Sequence, residues 1–367
     1  MFAGNIKGRG SLVESREAAL IVEVSAIEAL YAQGVTDGLP VVPPVRRLVH
    51  AAIAATGREG GELIAEVPPA YGRATVEKIA VNSVMAGCRP EYLPVVIAGV
   101  EAMCDDAFDL HGISGTTDAV APLFLVNGPI RRTLDINGGV GAFGPGWRAN
   151  ATIGRALRLI WVNLGGAKPG VISMSTFAHP GRYTYCFAEY EEESPWQPFH
   201  VEHGFASTDS TVAALAAESP LVVSAPRSRT AAEILSALAR TMEVIGNPKA
   251  TGLGDTLVVL SPEHAHAIAR DGWSKAQIRR FLWERLRKPV RDLLPGRGDG
   301  EGLSELTLAT LPDPETNDTL IPKFRDPDNL KIVVAGGTAG RFSAAIPAWP
   351  FANAPTRLVM KKIVTSR

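Results

Sequence analysis

The chain has 367 residues, of which 46% are hydrophobic and 20% are charged, proportions that exclude a wholly disordered protein. Its 37 Lys and Arg against 38 Asp and Glu leave no overall field that would recruit nucleic acid or an anionic membrane surface. Because a single core stops growing at roughly 250 to 300 residues, the length predicts two intimately packed lobes.

The cysteines exclude two kinds of small scaffold. Cys88, Cys104 and Cys186 lie far apart without a C-x-x-C pair, so neither a disulfide framework nor a zinc ribbon fits. The first residues, MFAGNIKGRGSLVES, lack the apolar stretch of a signal peptide. The longest apolar run, around LPVVIAGVEAM, is too short to cross a bilayer. These features predict a cytoplasmic protein with no membrane partner.

A short β-branched run that meets a proline recurs along the chain, in LPVVPPVRRL, PLFLVNGPIRR, PLVVSAPRSR and TLVVLSPEHA. Proline cannot extend a strand ladder but suits the first turn of a helix, so each run predicts a strand followed by a helix. Apolar spacing predicts helices over 14–33, 46–56, 73–86, 90–104, 149–163, 229–245, 263–271 and 274–287. The predicted fold class is α/β, with parallel or mixed sheets and flanking helices.

The stretch SPWQPFHVEHGF, 194–205, has the composition of a linker. It predicts an N-terminal α/β lobe over 1–200 and a C-terminal α/β lobe over 201–367. The polar segment 312–329 is a long excursion, which is either a lid, a partner contact or a passive surface loop. The basic segment 278–291 predicts a helix whose apolar face is buried in the core or at a subunit interface, and we expect a homo-oligomer.

The glycine-rich loop at 137–150, NGGVGAFGPGWRAN, is the predicted site. It precedes a predicted helix with Asn150 as the N-cap. Glycines such as Gly144 and Gly146 permit close backbone approach, and a helix N-terminus presents unpaired N–H groups. With the guanidinium of Arg148, these groups predict a cradle for the carboxylate or phosphate of a small anionic substrate. The alternative is a glycine-rich turn used for packing.

The same region has a local excess of positive charge. Between Asp135 and Glu189 there is no carboxylate. The cations in this stretch are Arg148, Arg155, Arg158, Lys168 and Arg182. An anionic ligand is expected there although the whole protein is nearly neutral.

The spacing of Gly139, Gly141 and Gly144 matches a dinucleotide-binding G-x-G-x-x-G. No strand directly precedes it, and no acidic residue follows about twenty positions later, so it does not predict a dinucleotide cofactor. A second cluster, AGGTAGR, follows a predicted strand and ends at Arg341. It predicts either a second wall of the same pocket, with Arg341 binding substrate, or a tight turn at a strand end.

Cys88 is the first candidate nucleophile. It lies between the end of one predicted helix and the start of the next, beside Arg89. Helix N-termini and neighbouring cations lower the pKa of a thiol and favour the thiolate. The alternative is an inert thiol packed in the core.

His111, His264 and Glu189 are the other catalytic candidates. The two histidines are predicted in a loop and near a strand end, positions that point into the substrate crevice of α/β folds. Glu189 ends a predicted strand that would aim it at the glycine-rich loop, whereas the glutamates after it are typical of a solvated face. A divalent metal is possible as a cofactor, with His179 and His111 as its candidate ligands.

Five segments resemble a bacterial family of uncharacterised proteins over most of the chain: TDGLPVVPP, VNSVMAGCRPEYLPVV, GPGWRANATIGRALRLI, SPEHAHAIARDGWSK and AGGTAGRFSAAIP. Members of that family tend to be encoded beside, or joined to, a small domain with a U-G-S-C or C-G-S-C motif. The resemblance implies an enzyme subunit near thiol or selenol chemistry, with a small thiol or selenol protein as partner. This chain has no G-S-C, so that redox motif and its catalytic residues are not carried over.

Three hypotheses for the function follow. The first is an enzyme acting on a small carboxylate- or phosphate-bearing substrate, with Cys88 or a histidine doing the chemistry. The second is a metal-dependent lyase or hydrolase. The third is a non-catalytic partner subunit of a thiol or selenol protein, with segment 312–329 as the contact surface.

Overall fold

The computed structural model describes residues 24–296, 301–349 and 357–365. Its strands are β1 (Leu63–Val67), β2 (Gly72–Thr75), β3 (Ala121–Asn127), β4 (Cys186–Ala188), β5 (Thr211–Ala217), β6 (Leu221–Ser224), β7 (Thr256–Leu260), β8 (Arg287–Pro289), β9 (Leu320–Pro322), β10 (Leu330–Val334), β11 (Phe342–Pro347) and β12 (Val359–Lys362).

The helices begin with α1 over residues 24–32. They continue with α2 (Arg46–Ala54), α3 (Val76–Ala86), α4 (Leu93–Met103), α5 (Leu110–Gly115), α6 (Ile130–Thr133), α7 (Arg148–Asn163), α8 (Phe199–Glu202), α9 (Ala231–Met242), α10 (Pro262–Arg270), α11 (Lys275–Arg285) and α12 (Glu305–Leu308).

Two four-stranded mixed sheets form the centre of the fold, in the orders β12-β5-β3-β4 and β10-β7-β11-β6. Both have the same pattern of strand directions. In the first sheet, β4 is parallel to β3, β5 is antiparallel to β3, and β12 is antiparallel to β5. In the second sheet, β10 is parallel to β7, β11 is antiparallel to β7, and β6 is antiparallel to β11. The strand-then-proline pattern after β3 and β7 therefore marks equivalent positions in the two sheets.

The sheets pack face to face and helices cover their outer faces. Leu123, Leu125 and Leu215 of the first sheet share a core with Leu257 and Val259 of the second. Helices α3, α4 and α7 pack on the outer side of the first sheet, and α9, α10 and α11 on the outer side of the second. These four layers confirm the predicted α/β class with mixed sheets and flanking helices.

Most of the predicted helices are present because their end signals act locally. Gly87 ends α3 with φ +91°, a left-handed conformation that favours glycine. Capping boxes at Thr230 and Ser274 begin α9 and α11. Of the predicted helix at 14–33, residues 24–32 are helical and 14–23 lie outside the described residues.

Other local predictions differ from the structure. The run at 39–42 contains no strand, because its prolines leave no room for a ladder. Segment 312–329 is not wholly irregular, since it contains β9, which pairs with β8. The proposed lobe boundary at residue 200 falls within one sheet, because β5 and β12 lie beside β3 and β4.

Candidate functional site

The two glycine-rich loops lie against each other. The Gly336 N–H donates to the Gly138 carbonyl at 2.8 Å, and a side chain on Gly337 would meet Val140. Between the loops lies a cleft of about 300 Å³, the glycine cleft, whose walls include Gly144 and Gly340. The second glycine cluster thus forms a wall of a pocket shared with the first.

Arg148 and Asn150, predicted to hold an anion, bind the backbone instead. Helix α7 begins at Arg148, and its N-cap is Trp147 rather than Asn150. The buried Asn150 side chain donates to the Asn137 carbonyl at 2.9 Å and accepts from the Asn137 N–H at 2.8 Å. Nε and Nη2 of the exposed Arg148 both donate to the Gly87 carbonyl. The predicted cradle therefore loses two of its donors to packing.

Backbone N–H groups remain open at the start of α7. Within the described part of the chain, the N–H groups of Arg148, Ala149 and Asn150 have no hydrogen-bond partner. Gly146, exposed and with φ +120°, leads the chain into this turn, where the conformation favours glycine. The partial positive charge of the helix end is retained.

Arg341 does not extend into the glycine cleft as a free cation. Its Nε donates to a carboxylate oxygen of Glu263, and its Nη1 donates to the Pro226 carbonyl at 3.2 Å. The Gly340 N–H also donates to Glu263. The carboxylate of Glu263 thus already compensates the charge of Arg341.

His264 lies on α10, and its buried side chain contacts β11. Its Nδ1 lies 2.8 Å from Oγ of Ser343. Ser343 borders the glycine cleft, but side chains alternate along a strand, and the next residue, Ala344, packs between the two sheets. Oγ of Ser343 therefore faces the helices, and the pair gives His264 no path to a ligand in the cleft. Burial lowers the pKa of His264, and the Ala225 backbone and Glu263 oppose this effect.

The Cys88 thiol lies in an environment opposite to the predicted one. Its Sγ donates to the Thr152 carbonyl at 3.2 Å. Burial raises the pKa of Cys88 to about 12, although the Thr152 hydrogen bond and the charge of Arg148 act in the other direction. The thiol is protonated at neutral pH, because desolvation outweighs the neighbouring cation.

Glu189 lies in a buried polar cluster. Its Oε2 accepts from Asn127 Nδ2 at 2.5 Å and from the Phe199 N–H at 2.7 Å, while Oε1 is buried with no partner among the described atoms. Burial raises the pKa of Glu189, and the charge of Lys275 opposes this rise. Glu189 therefore ties β4 to α8 and is fully shielded from solvent.

His111 is exposed on the surface of α5 rather than in a loop. Its Nδ1 lies 3.4 Å from Oη of Tyr71, and the two rings are in contact. Among the described residues, His111 lines neither the glycine cleft nor the two cavities described below.

A larger cavity, of about 680 Å³, lies along the middle of α7 and is called here the arginine cavity. Arg158 and Arg182 reach it from α7 and from the turn before β4. Their guanidinium carbons lie 4.7 Å and 5.7 Å from the ring centre of the buried Trp161. Both side chains are more than nine-tenths buried.

The two guanidiniums differ in their hydrogen bonds. Arg182 donates to the carbonyls of Val120 and Asp118 and to Oγ of Ser173. Nη1 of Arg158 is buried without a hydrogen-bond partner among the described residues. Neither arginine forms a salt bridge with a described carboxylate. The cavity therefore contains buried positive charge with an open donor.

A second cavity, of about 410 Å³, lies beside the first and is called here the apolar cavity. His179 and Pro180 belong to the walls of both. Phe143, Tyr185 and Phe187 give the second cavity its apolar character. A ligand with a charged end and an apolar body matches this succession of surfaces.

His179 uses both of its ring nitrogens. Nδ1 accepts from the Gly181 N–H at 3.1 Å, and Nε2 lies 3.3 Å from the Ala217 carbonyl. These contacts require the neutral tautomer that carries its proton on Nε2. Burial lowers the pKa of His179 and so favours the neutral form. No group of three or more His, Cys, Asp or Glu within the described ranges is arranged to hold a metal ion.

Comparisons with other proteins do not add to these observations. No protein-family model, curated protein or solved structure matches this chain. In the described part, none of the helices is both long and apolar enough to cross a membrane. The candidate site therefore depends on its own geometry.

The charge pattern of the sequence includes Arg158 and Arg182 but does not single them out. Both belong to the stretch without carboxylates between Asp135 and Glu189. The glycine motif favours Arg148 instead, which is exposed and bound to a carbonyl. The feature that marks the cavity is a buried guanidinium with an unpaired donor, and not the glycines.

Proposed function

We propose that this protein is an enzyme whose substrate is a small carboxylate with an apolar body. The carboxylate occupies the arginine cavity, and the apolar body extends into the apolar cavity. The observation that carries this proposal is the buried Nη1 of Arg158, which lacks a hydrogen-bond partner in the described chain.

A buried guanidinium with an unpaired donor is costly, because desolvation removes its hydration and the Trp161 ring and the charge of Asp37 replace it only in part. Burial and the like charge of Arg182 lower the pKa of Arg158 to about 10, although the charge of Asp37 opposes them, so Arg158 remains charged at neutral pH. A bound anion would restore the missing hydrogen bond and countercharge. Buried polar groups that lack an internal partner are found mainly at functional sites.

The charge balance favours a monoanion. Asp118 raises the pKa of Arg182, so this carboxylate partly compensates one of the two arginines. Asp37, which also lines the cavity, is already bonded to Arg155 at 2.7 Å. About one positive charge is left over, which suits a carboxylate better than a phosphate dianion.

The mouth of the arginine cavity supports an apolar substrate body. Phe177 and Tyr183 line it, and they are 91% and 49% exposed. The volume of about 680 Å³ is within the range of small-molecule sites. Such a site favours an aryl or alkyl carboxylate over a small, fully hydrated anion.

Glu218, the chain neighbour of a residue that lines the apolar cavity, is a candidate proton-transfer group. It lies between Ala217, whose carbonyl contacts His179, and Ser219, which lines the apolar cavity. Burial, with the charge of Asp118, raises the pKa of Glu218 to about 7. A carboxyl group that titrates near neutral pH suits general acid–base catalysis. By contrast, burial raises the pKa of Cys186 in the apolar cavity to about 12, which gives thiolate chemistry no support.

The test is a thermal-shift and calorimetric titration with benzoate, benzamide and inorganic phosphate at constant ionic strength. We expect benzoate to bind and benzamide to bind at least 10-fold more weakly, because only the anion compensates Arg158. Arg158→Met should abolish benzoate binding. The matched control is Arg148→Met, which removes an exposed arginine from the same helix and should leave it unchanged. If Arg148→Met lost benzoate binding and Arg158→Met kept it, the binding site would be the glycine-rich loop and not the arginine cavity.

A partner subunit is a second candidate function, favoured by exposed apolar side chains beside the same cavity. Val171, Met174 and Phe177 are 70%, 56% and 91% exposed. Large exposed apolar side chains close together mark protein contacts. A small thiol or selenol protein, as the family resemblance implies, would dock there. Size-exclusion chromatography with such a protein tests this candidate, and a Phe177→Ser variant should weaken the complex.

A further inference from the structure

A third cavity, of about 300 Å³, lies on the other half of the molecule among α9, α11 and β8 and is called here the lysine cavity. Its cations are Arg240, Arg285, Arg287, Lys288 and Lys323, and its one carboxylate is Glu243. None of the residues of the arginine cavity belongs to it. We propose that the lysine cavity binds the phosphate groups of a small phosphorylated molecule.

The cations of this cavity have almost no countercharge. The only salt bridge that the described residues form at its rim joins Arg240 to Glu243 at 3.0 Å. Within the described ranges, Arg285, Arg287, Lys288 and Lys323 form no salt bridge with a carboxylate. Four uncompensated positive charges around one concavity attract a multiply charged anion.

The two lysines are held in place by carbonyl groups. Nζ of Lys323 donates to the carbonyls of Asn247 at 2.8 Å and Ala250 at 3.4 Å, and Nζ of Lys288 donates to the Pro248 carbonyl at 2.9 Å. Lys323 is only 4% exposed. An ammonium group has three donors, so donors remain for a ligand after these contacts. Fixed donors lower the entropic cost of binding, because the side chains are ordered before the ligand arrives.

The ammonium groups also repel each other. Burial and the charge of Lys288 lower the pKa of Lys323 to about 8, while Glu243 raises it. A bound dianion would reverse this balance by compensating both charges. Binding should therefore transfer a proton to Lys323 near pH 8, which provides a signature that nonspecific surface binding lacks.

The number of charges separates this site from the arginine cavity. About one excess charge in that cavity fits a carboxylate, whereas the lysine cavity has four cations without a carboxylate partner. Hydroxyl groups of Ser236 and Thr251 also line it and can donate to phosphate oxygens. Phosphate and pyrophosphate present the required charge in a small volume.

The experiment is isothermal titration of the full chain with pyrophosphate and with adenosine diphosphate at pH 8, in two buffers of different ionisation enthalpy. We expect binding that weakens with salt, and at pH 8 a proton uptake that is greater by up to about half a proton in the native protein than in Lys323→Met, because the protonation change of the ligand itself is common to both proteins. If adenosine diphosphate bound more tightly than pyrophosphate, the site would also contact the nucleoside. Equal affinities would mean that it contacts the phosphate groups alone.

Two variants report on the site, because Lys323→Met alone could disturb the fold. Lys288→Met, at a partly exposed position, should weaken pyrophosphate at least 10-fold. Arg280→Met, on the neighbouring helix α11 where Arg280 pairs with Glu284, is the control for removing a cation outside the cavity and should not change the affinity. Arg158→Met should also bind pyrophosphate normally. The proposal would be overturned if pyrophosphate did not bind at millimolar concentration. It would also be overturned if Lys323→Met and Lys288→Met both kept the affinity and proton uptake of the native protein.

Discussion

Arg182 lies close enough to Arg158 to lower its pKa, and the two guanidiniums share contact with the indole of Trp161. Two like charges are thus buried side by side on one aromatic residue. Their environments differ in one respect: Arg182 has three acceptors, whereas Nη1 of Arg158 has no partner among the described groups.

This difference predicts opposite effects on stability. Arg158→Met should raise the free energy of unfolding by about 1 kcal/mol in the absence of ligand, because it removes an unpaired buried charge. Arg182→Met should lower it by about 2–4 kcal/mol, because it leaves the acceptors of Val120, Ser173 and Asp118 unpaired. Urea unfolding of both variants measures the two effects. Equal destabilisation would mean that Arg158 is as well satisfied as Arg182.

The cysteines should react slowly with alkylating reagents in the folded protein. Burial raises the pKa of Cys88, Cys104 and Cys186 to about 12, so almost no thiolate is present at neutral pH. Iodoacetamide at pH 7.5 should modify all three at least about 100-fold more slowly than in urea, as followed by mass spectrometry of the peptides. Rapid modification of Cys88 alone in the native protein would instead support its predicted role as nucleophile.

Glu218 should make stability fall as the pH rises. Burial, with the charge of Asp118, raises its pKa from 4.5 to about 7, so the folded protein holds a proton that the unfolded chain releases between these pH values. Its contribution is complete below about pH 4.5 and decreases up to about pH 7, by up to about 3 kcal/mol. Denaturation at a series of pH values should show this slope in the native protein and a smaller one in Glu218→Gln. Identical slopes would contradict the raised pKa.

Gly138→Ala should disrupt the contact between the two glycine-rich loops. A Cβ at this position would lie 2.3 Å from the Ala188 carbonyl oxygen, a distance that requires the backbone to move. We expect a loss of about 1–3 kcal/mol or more in the free energy of unfolding. Gly139→Ala is the control, because its Cβ would approach other atoms no closer than 3.4 Å. Thermal unfolding should therefore separate two neighbouring substitutions, and equal melting temperatures would argue against the close approach.

The sequence predicts the positive charge of the candidate site but not its location in the fold. The carboxylate-free stretch between Asp135 and Glu189 contains both arginines of the arginine cavity. A charge count does not show which guanidinium is buried, because that depends on what packs around it. Arg148 is exposed on the first turn of α7, whereas Arg158 lies three turns further along the same helix and is only 8% exposed.

Local chemistry in the sequence determined the α/β class and the positions of most helices, because apolar spacing and caps such as Gly87 and Thr230 act within a few residues. The tertiary structure decided which strands share a sheet: β12 pairs with β5 although they are far apart in the chain. It also decided that Cys88 is a protonated thiol and that Nη1 of Arg158 is buried without a hydrogen-bond partner among the described groups. Pairing, burial and charge compensation all depend on residues distant in sequence, and these interactions set the chemistry of every candidate group.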